Sequence, residues 1–465
     1  MTTKSLACAA LTLGLAAAYG VPQASAQSHP EYITGLAHGV KAVLYRPDSN
    51  PSPHVGVVVM HRTSNYLTHP ACTQLSQRGL MVLCMNSRFD NNEALVNWEL
   101  IAQDVGVGVT YLKTVQNISK VVLFAHSGGG PTMSYYQAVA ENGSAYCQGP
   151  NKLSQCVSGT TGNGVDGLIP ADAIVFADAH AGNGVNALQG MNPAVTDRQD
   201  QETVGIDADN DPIRLDPRLD LSLPSNGFNP NGQSTYSQDF QRRFTRAQAE
   251  RMNDWIAQAL HIRQEIGKGR WRFPDDDSII IARGSGSQAG GGAGANIYKP
   301  DTDIPTQCCT VQPERVLMND GSVVVQLYRS VRLPDPTGVE GNPDFDDGSK
   351  NLTVTSFLSA NAIRATDSLD RDKIDWCSSN NSTPCALQHI SVPLLITGMG
   401  AYYFFPDGEQ YYLKYAKSLD KEFIVAAGLV HGITPCGNCP GGPYTNQVTN
   451  YWNYVFSWIR TRFGT

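Results

Sequence analysis

Beyond residue 26 the sequence has no apolar run long enough to cross a bilayer, so no membrane span is expected. Charge is scarce: Asp, Glu, Lys and Arg make up 16 % of the 465 residues, too few for a coiled coil or a disordered chain. Basic residues are in deficit, with a formal net charge of −8, and they are not clustered. That balance argues against nucleic acid or an anionic membrane surface as partners.

Ligand-binding motifs are lacking too. The Gly-rich stretch 284–296 does not link a strand to a helix, as a phosphate-binding loop must. Asp207, Asp209 and Asp211 begin like a calcium loop, but Pro212 stands where the turn glycine is needed and Arg218 where the closing glutamate belongs. They read as a solvated loop. Cys436-x-x-Cys439 has zinc-ligand spacing without a second such pair. No cofactor and no metal are expected.

What is present begins with an export signal over residues 1–26: Lys4, an apolar stretch over 9–19, and the small-x-small site Ala24-Ser25-Ala26. A periplasmic or secreted protein is expected. Without Cys8 ten cysteines remain, and they fall into close pairs: Cys72/Cys84, Cys147/Cys156, Cys308/Cys309, Cys377/Cys385 and Cys436/Cys439. Local disulfides are the natural reading in an oxidising compartment, although Cys84 lies in an apolar run and could be a buried thiol.

Apolar, β-branched runs at 40–45, 55–60, 80–85, 121–124 and 173–177 alternate with helical segments at 72–78, 97–115 and beyond 131. Strands that alternate with helices predict a mainly parallel sheet in an α/β protein. The alternation stops for about two hundred residues after Gly182, where only an amphipathic helix over 245–268 and a hairpin over 316–328 stand out. It resumes with strands at 392–397 and 422–427 and an aromatic helix over 444–463. The division predicted is a core from 27–182 and 386–465, with 183–385 inserted as a cap or lid on the side where such sheets bind ligands.

Within the core, KVVLFAHSGGGPTMSYY (120–136) reads as strand, sharp turn and helix with Ser127 at the turn. The positions two before and two after that serine must be very small, and they are Ala125 and Gly129. A serine hydroxyl needs a base, and the base needs an acceptor that fixes its tautomer. Of ten histidines, His431 in Gly-Leu-Val-His-Gly follows the last strand and is the best placed.

This combination of AHSGG elbow, a strand running into His61, and a late His431-Gly432 resembles the α/β-hydrolase family over residues 40–182 and 390–463. The resemblance implies an eight-stranded sheet and a serine, acid, histidine order. It also implies an oxyanion hole from the Gly128 N–H and one N–H of the His61 loop, Arg62 or Thr63. The acid is open among three carboxylates: Asp178 at the end of the 173–177 strand, then Glu409, then Asp407, which could instead cap a helix. The function expected is an exported serine hydrolase acting on a small-molecule or polymeric ester through an acyl-enzyme. An acyltransferase or amidase with the same triad, or an inactive hydrolase-fold binding protein, are the alternatives.

Overall fold

The computed structural model describes residues 27–194, 216–221, 223–229, 235–281, 309–331, 350–402 and 406–465. The expected signal segment, the Asp207, Asp209 and Asp211 loop, the 284–296 stretch and Cys308 lie outside the described residues. The strands of the main sheet are β1 (Ser28–Ile33), β2 (Lys41–Pro47), β3 (Val55–His61), β4 (Met81–Asn86), β5 (Lys120–His126), β6 (Ala173–Ala177), β7 (Glu314–Leu317), β8 (Val323–Gln326), β9 (Leu394–Met399) and β10 (Lys421–Ala426). They form one ten-stranded sheet in the order β1-β2-β4-β3-β5-β6-β9-β10-β7-β8.

From β4 to β7 across the sheet every neighbour pairs in parallel, while β1 and β2 at one edge and β8 at the other run antiparallel to their neighbours. Every residue of β3 and β4 is buried, as β-branched and apolar runs covered on both faces must be. Alternation along the strands divides the core. Val55, Val57, Val59, Val122 and Phe124 face helices α1 (Pro70–Ser76) and α8 (Gln447–Phe463), where Leu75, Tyr451, Trp452, Val455 and Trp458 pack. Val58, Met60, Val121, Leu123 and Ala125 face the opposite cluster. That side holds α2 (Ile101–Thr110), α3 (Gly129–Asn142), α4 (Asn183–Gly190) and α5 (Gln238–Gly267). Two further helices, α6 (Thr383–Leu387) and α7 (Pro406–Tyr415), lie between β8 and β10 in the chain.

Three departures from the sequence reading have physical causes. The sheet has ten strands rather than eight, because the hairpin predicted over 316–328 joins it: β7 pairs with β10 as Ile424↔Arg315 to Ala426↔Leu317. The edge strand β1, SHPEYI, carries no apolar alternation because it is largely exposed. Its pairing with β2 supplies what its side chains do not. Helix α5 starts at Gln238 rather than 245, since the Ser237 hydroxyl accepts the Phe240 N–H as an N-cap and Phe240 and Phe244 extend the buried stripe.

Disulfides join Cys72–Cys84, Cys147–Cys156, Cys377–Cys385 and Cys436–Cys439, so Cys84 is bridged rather than free. Cys309 is disulfide-bonded as well.

Candidate active site

Strand β5 ends at His126, and the chain turns at Ser127 with φ of 56° before α3 begins at Gly129. A left-handed backbone at a non-glycine residue costs roughly 1–3 kcal/mol and persists only where its surroundings enforce it. Here the Ser127 N–H donates to the Ala177 carbonyl at the end of β6 (3.2 Å), and the Gly130 N–H donates to the Ser127 carbonyl (2.9 Å). A Cβ at Gly129 would lie 3.0 Å from the Met60 carbonyl, tighter than side chains ordinarily pack. The small residue required two places after the serine is thus required by the backbone of β3.

His431 sits at the tip of a small hairpin just past β10. Leu429–Val430 pairs antiparallel with Thr434–Pro435, the Cys436 N–H closes on the Gly428 carbonyl (2.8 Å), and the Cys436–Cys439 disulfide follows. The strand order brings this tip back across β9 and β6 to the elbow. His431 Nε2 lies 2.8 Å from Ser127 Oγ. On the other side of the ring, Nδ1 makes a short hydrogen bond with Asp178 Oδ2.

Asp178 is the first residue after β6, with φ of 45°. Its side chain is 1 % exposed. Its N–H donates to the Thr397 carbonyl (2.8 Å) and its Oδ1 accepts the Met399 N–H (3.4 Å), so β9 fixes the carboxylate in place. An ionised carboxylate only accepts hydrogen bonds, so Nδ1 carries the proton of a neutral His431 and Nε2 presents its lone pair to the serine hydroxyl. Asp407 and Glu409, the other candidate acids, lie in the first turn of α7. Their side chains lie outside the described residues.

The imidazole of His431 is held between two rings, stacked on Tyr402 (4.7 Å, 20°) and against His126 (4.7 Å). A hydrogen-bond series that the sequence reading did not identify ends on the same residue. The Ala71 N–H donates to His69 Nδ1 (3.1 Å), which leaves the His69 proton on Nε2, 3.0 Å from His126 Nδ1. His126 in turn carries its proton on Nε2, which donates to the His431 carbonyl (2.7 Å). One backbone N–H at the start of α1 therefore sets two tautomers in succession. The Tyr66 hydroxyl also lies 3.1 Å from His126 Nδ1. Burial first, and neighbouring imidazoles second, hold both rings neutral: His69 is pushed down to about 3 and His126 well below its ordinary value. The signal was available in the sequence, since His126 directly precedes Ser127 and a strand end holds its side chain near the elbow.

Across the elbow lies the loop after β3. The Thr63 N–H, one of the two donors expected there, is already engaged: it donates to His61 Nδ1 (3.1 Å), as does the Ser64 N–H (2.9 Å). Arg62 forms an ion pair with Glu93, which takes Nε (3.2 Å) and Nη2 (3.1 Å). Glu93 also accepts from the Thr63 hydroxyl (3.0 Å) and Asn183 Nδ2 (2.8 Å). Gly128, directly after the serine, lies under this loop: a Cβ there would meet His61 Nε2 at 2.3 Å and Arg62 Nη1 at 2.5 Å.

Among the described residues no group of three or more His, Cys, Asp or Glu side chains is arranged to hold a metal ion, and no helix is long and apolar enough to cross a membrane. What the arrangement can do is move a proton between Oγ and a carboxylate-oriented imidazole beside buried donors.

No protein-family model matches the chain, and no curated protein matches it. Among solved structures it is similar to DcsB in complex with its substrate analogue, at 10 % identity and a TM-score of 0.41, over 94 % of this chain and 100 % of that one. It is similar to Est1E from Butyrivibrio proteoclasticus at 10 % identity and a TM-score of 0.40, over 94 % and 99 % of the two chains. A bacterial heroin esterase matches at 9 % identity and a TM-score of 0.37, over 95 % and 86 %. The assignment of fold rests instead on this chain's own strand order, with β2 antiparallel at one edge and Ser127 turning from a central strand into α3: it has the α/β-hydrolase fold.

Proposed function

We propose that this protein is an exported serine hydrolase that cleaves carboxylic esters through a Ser127–His431–Asp178 triad and an acyl-enzyme. The observation that carries this reading is the 2.8 Å approach of His431 Nε2 to Ser127 Oγ, between residues 304 apart in the chain, with Asp178 on the far nitrogen. His431 takes the Ser127 proton as Oγ attacks the ester carbonyl. Asp178 holds the ring in the tautomer this requires and stabilises the imidazolium that forms. The tetrahedral oxyanion develops at the Gly128 N–H, at the N-terminus of α3, where the helix dipole favours negative charge. The imidazolium then protonates the leaving alcohol, and a water activated by the same nitrogen releases the acid.

Export is supported by the disulfides, which persist in oxidising compartments. A covering role for parts of the 183–385 segment other than the hairpin 314–326, which belongs to the sheet, is supported by packing beside the site: α4 begins five residues after Asp178, Asn183 holds Glu93, and the Ser356 and Ser359 hydroxyls donate to the Glu93 and Val96 carbonyls.

The test is Ser127→Ala against p-nitrophenyl esters of graded acyl length. Turnover is expected to vanish while the circular dichroism spectrum is unchanged, and retained turnover would remove Ser127 from the mechanism. The acyl series reads the depth of the pocket at the same time. A fluorophosphonate probe separates this reading from an inactive scaffold, since only an activated serine is labelled.

A further inference from the structure

Building on the serine-nucleophile reading, we infer that the oxyanion formed at Ser127 is received by two side-chain donors, His61 Nε2–H and Arg62 Nη1–H, beside the Gly128 N–H, and not by the backbone N–H of Thr63.

The tautomer of His61 follows from its contacts. A backbone N–H can only donate, and two of them, from Thr63 (3.1 Å) and Ser64 (2.9 Å), converge on His61 Nδ1. That nitrogen carries no proton, so the neutral ring carries it on Nε2. Burial, helped by the neighbouring Arg62 charge, holds His61 well below its ordinary value, which favours the neutral ring. The same two bonds withdraw the Thr63 N–H from other duty.

Arg62 adds the second donor. Glu93 clamps Nε and Nη2 in the planar fork geometry of an arginine–carboxylate pair, and Thr63 and Asn183 hold Glu93 in turn. Nη1 is left over. It is buried and makes no hydrogen bond among the described residues. A buried guanidinium N–H without a partner is costly and calls for an explanation. Its position supplies one: Nη1 and His61 Nε2 both crowd the backbone of Gly128, to within 2.5 and 2.3 Å of where a Cβ would stand. Gly128 is the residue whose N–H follows the nucleophile. A donor fixed in advance, buried and short of a partner in the resting protein, as Arg62 Nη1 is, is what a developing oxyanion requires, and His61 Nε2 stands beside it. The clamp on Arg62 means that no reorganisation is needed when the charge appears.

The experiment is the rate of Ser127 phosphonylation by a neutral fluorophosphonate in the full chain, because the phosphoryl oxygen of that probe takes the oxyanion's place. Arg62→Met removes Nη1. His61→Asn retains an acceptor for the Thr63 and Ser64 N–H groups but loses the Nε2 donor, so it spares the loop if the first variant folds poorly. Removal of one oxyanion donor typically costs about 10²–10³-fold, and each variant is expected to label at least about thirtyfold more slowly, with an unchanged melting curve for His61→Asn. In ester hydrolysis the loss is expected in kcat with KM little altered, a split that a merely structural role would not produce. If the wild-type protein is folded but not labelled, the serine-nucleophile reading falls, and this inference with it. If the wild-type protein is labelled and both variants react within about threefold of it, only the side-chain donors are excluded.

Discussion

On one side of Ser127 the groups that would handle a proton are placed by the sheet: Asp178 follows β6 directly, and His431 stands on a short hairpin just past β10. On the other side His61 and Arg62 are aimed at Gly128 by hydrogen bonds among side chains: Nδ1 against two loop N–H groups, and a guanidinium against Glu93. The first side is rigid because the sheet is rigid. The second depends on a network of small energies, each contact worth about 1 kcal/mol net, or up to about 3 when charged. The two sides should therefore fail differently when they are cut.

The largest effect is expected on the sheet side. Asp178→Asn preserves the shape at the end of β6 but presents an amide where a carboxylate held the Nδ1 proton, which favours the wrong tautomer of His431. A loss of about 10³–10⁴-fold in kcat is expected on p-nitrophenyl esters, with the fold intact. A loss of less than tenfold would mean that the contact between Asp178 and His431 orients nothing that catalysis needs.

Gly128→Ala strikes the opposite side alone. A methyl group 2.3 Å from His61 Nε2 and 2.5 Å from Arg62 Nη1 must displace both, while φ of −64° at Gly128 is one that alanine adopts freely. Activity is expected to fall about 10²-fold with little change in melting temperature. If activity survives, the space over Gly128 is not used in the reaction.

The difference between the two sides also explains what could be read from the sequence. Ser127 and Asp178 terminate β-branched runs, and His431 follows one after a short turn. Such positions are legible because strand periodicity tells where a buried strand ends, and parallel strands end on one edge. The shape of the elbow was legible for the same reason, through Ala125 and Gly129. The destination of the Thr63 N–H was not, since it depends on which rotamer His61 adopts at the end of β3 and on how the aperiodic loop after it folds back. The relay from Ala71 through His69 to His126 was legible only at its last member, His126 beside Ser127, because its other members lie on elements that only the folded sheet brings together. The hairpin over 316–328 was legible but its place in the sheet was not: β8, VVVQ, is exposed along its length, and its apolar residues serve pairing at an edge rather than a core.

A smaller effect, in stability rather than rate, separates the histidines themselves. His431 is 22 % exposed at its side chain, whereas His61, His69 and His126 are buried and held neutral. A histidine whose folded pKa lies below its unfolded value contributes stability that is present above the unfolded value and is lost as pH falls. For His69 the window runs from 6.5, where the unfolded chain begins to take up the proton, down to about 3, where the folded protein follows. Each such group adds about 1.4 kcal/mol of destabilisation per pH unit within its window. Urea midpoints measured between pH 7.5 and 5 are expected to fall, and to fall less steeply in His69→Asn, which keeps an acceptor for the Ala71 N–H but no longer titrates. An equal slope in the two proteins would show that His69 is protonated in the fold.

The smallest expected effect tests the choice of acid. Glu409 competed with Asp178 in the sequence because it follows β9, the strand after which an orienting acid is commonly found. Its backbone lies in the first turn of α7, and a carboxylate at a helix N-terminus is ordinarily worth about 0.3–1 kcal/mol through the helix dipole. Asp178 already occupies the Nδ1 side of His431, and an imidazole has one nitrogen to offer there. Glu409→Gln is accordingly expected to keep kcat/KM within about threefold of wild type and to lower the melting temperature by no more than a few degrees. A loss of orders of magnitude in this variant, with Asp178→Asn near wild type, would reverse the assignment and move the orienting carboxylate from the end of β6 to the start of α7.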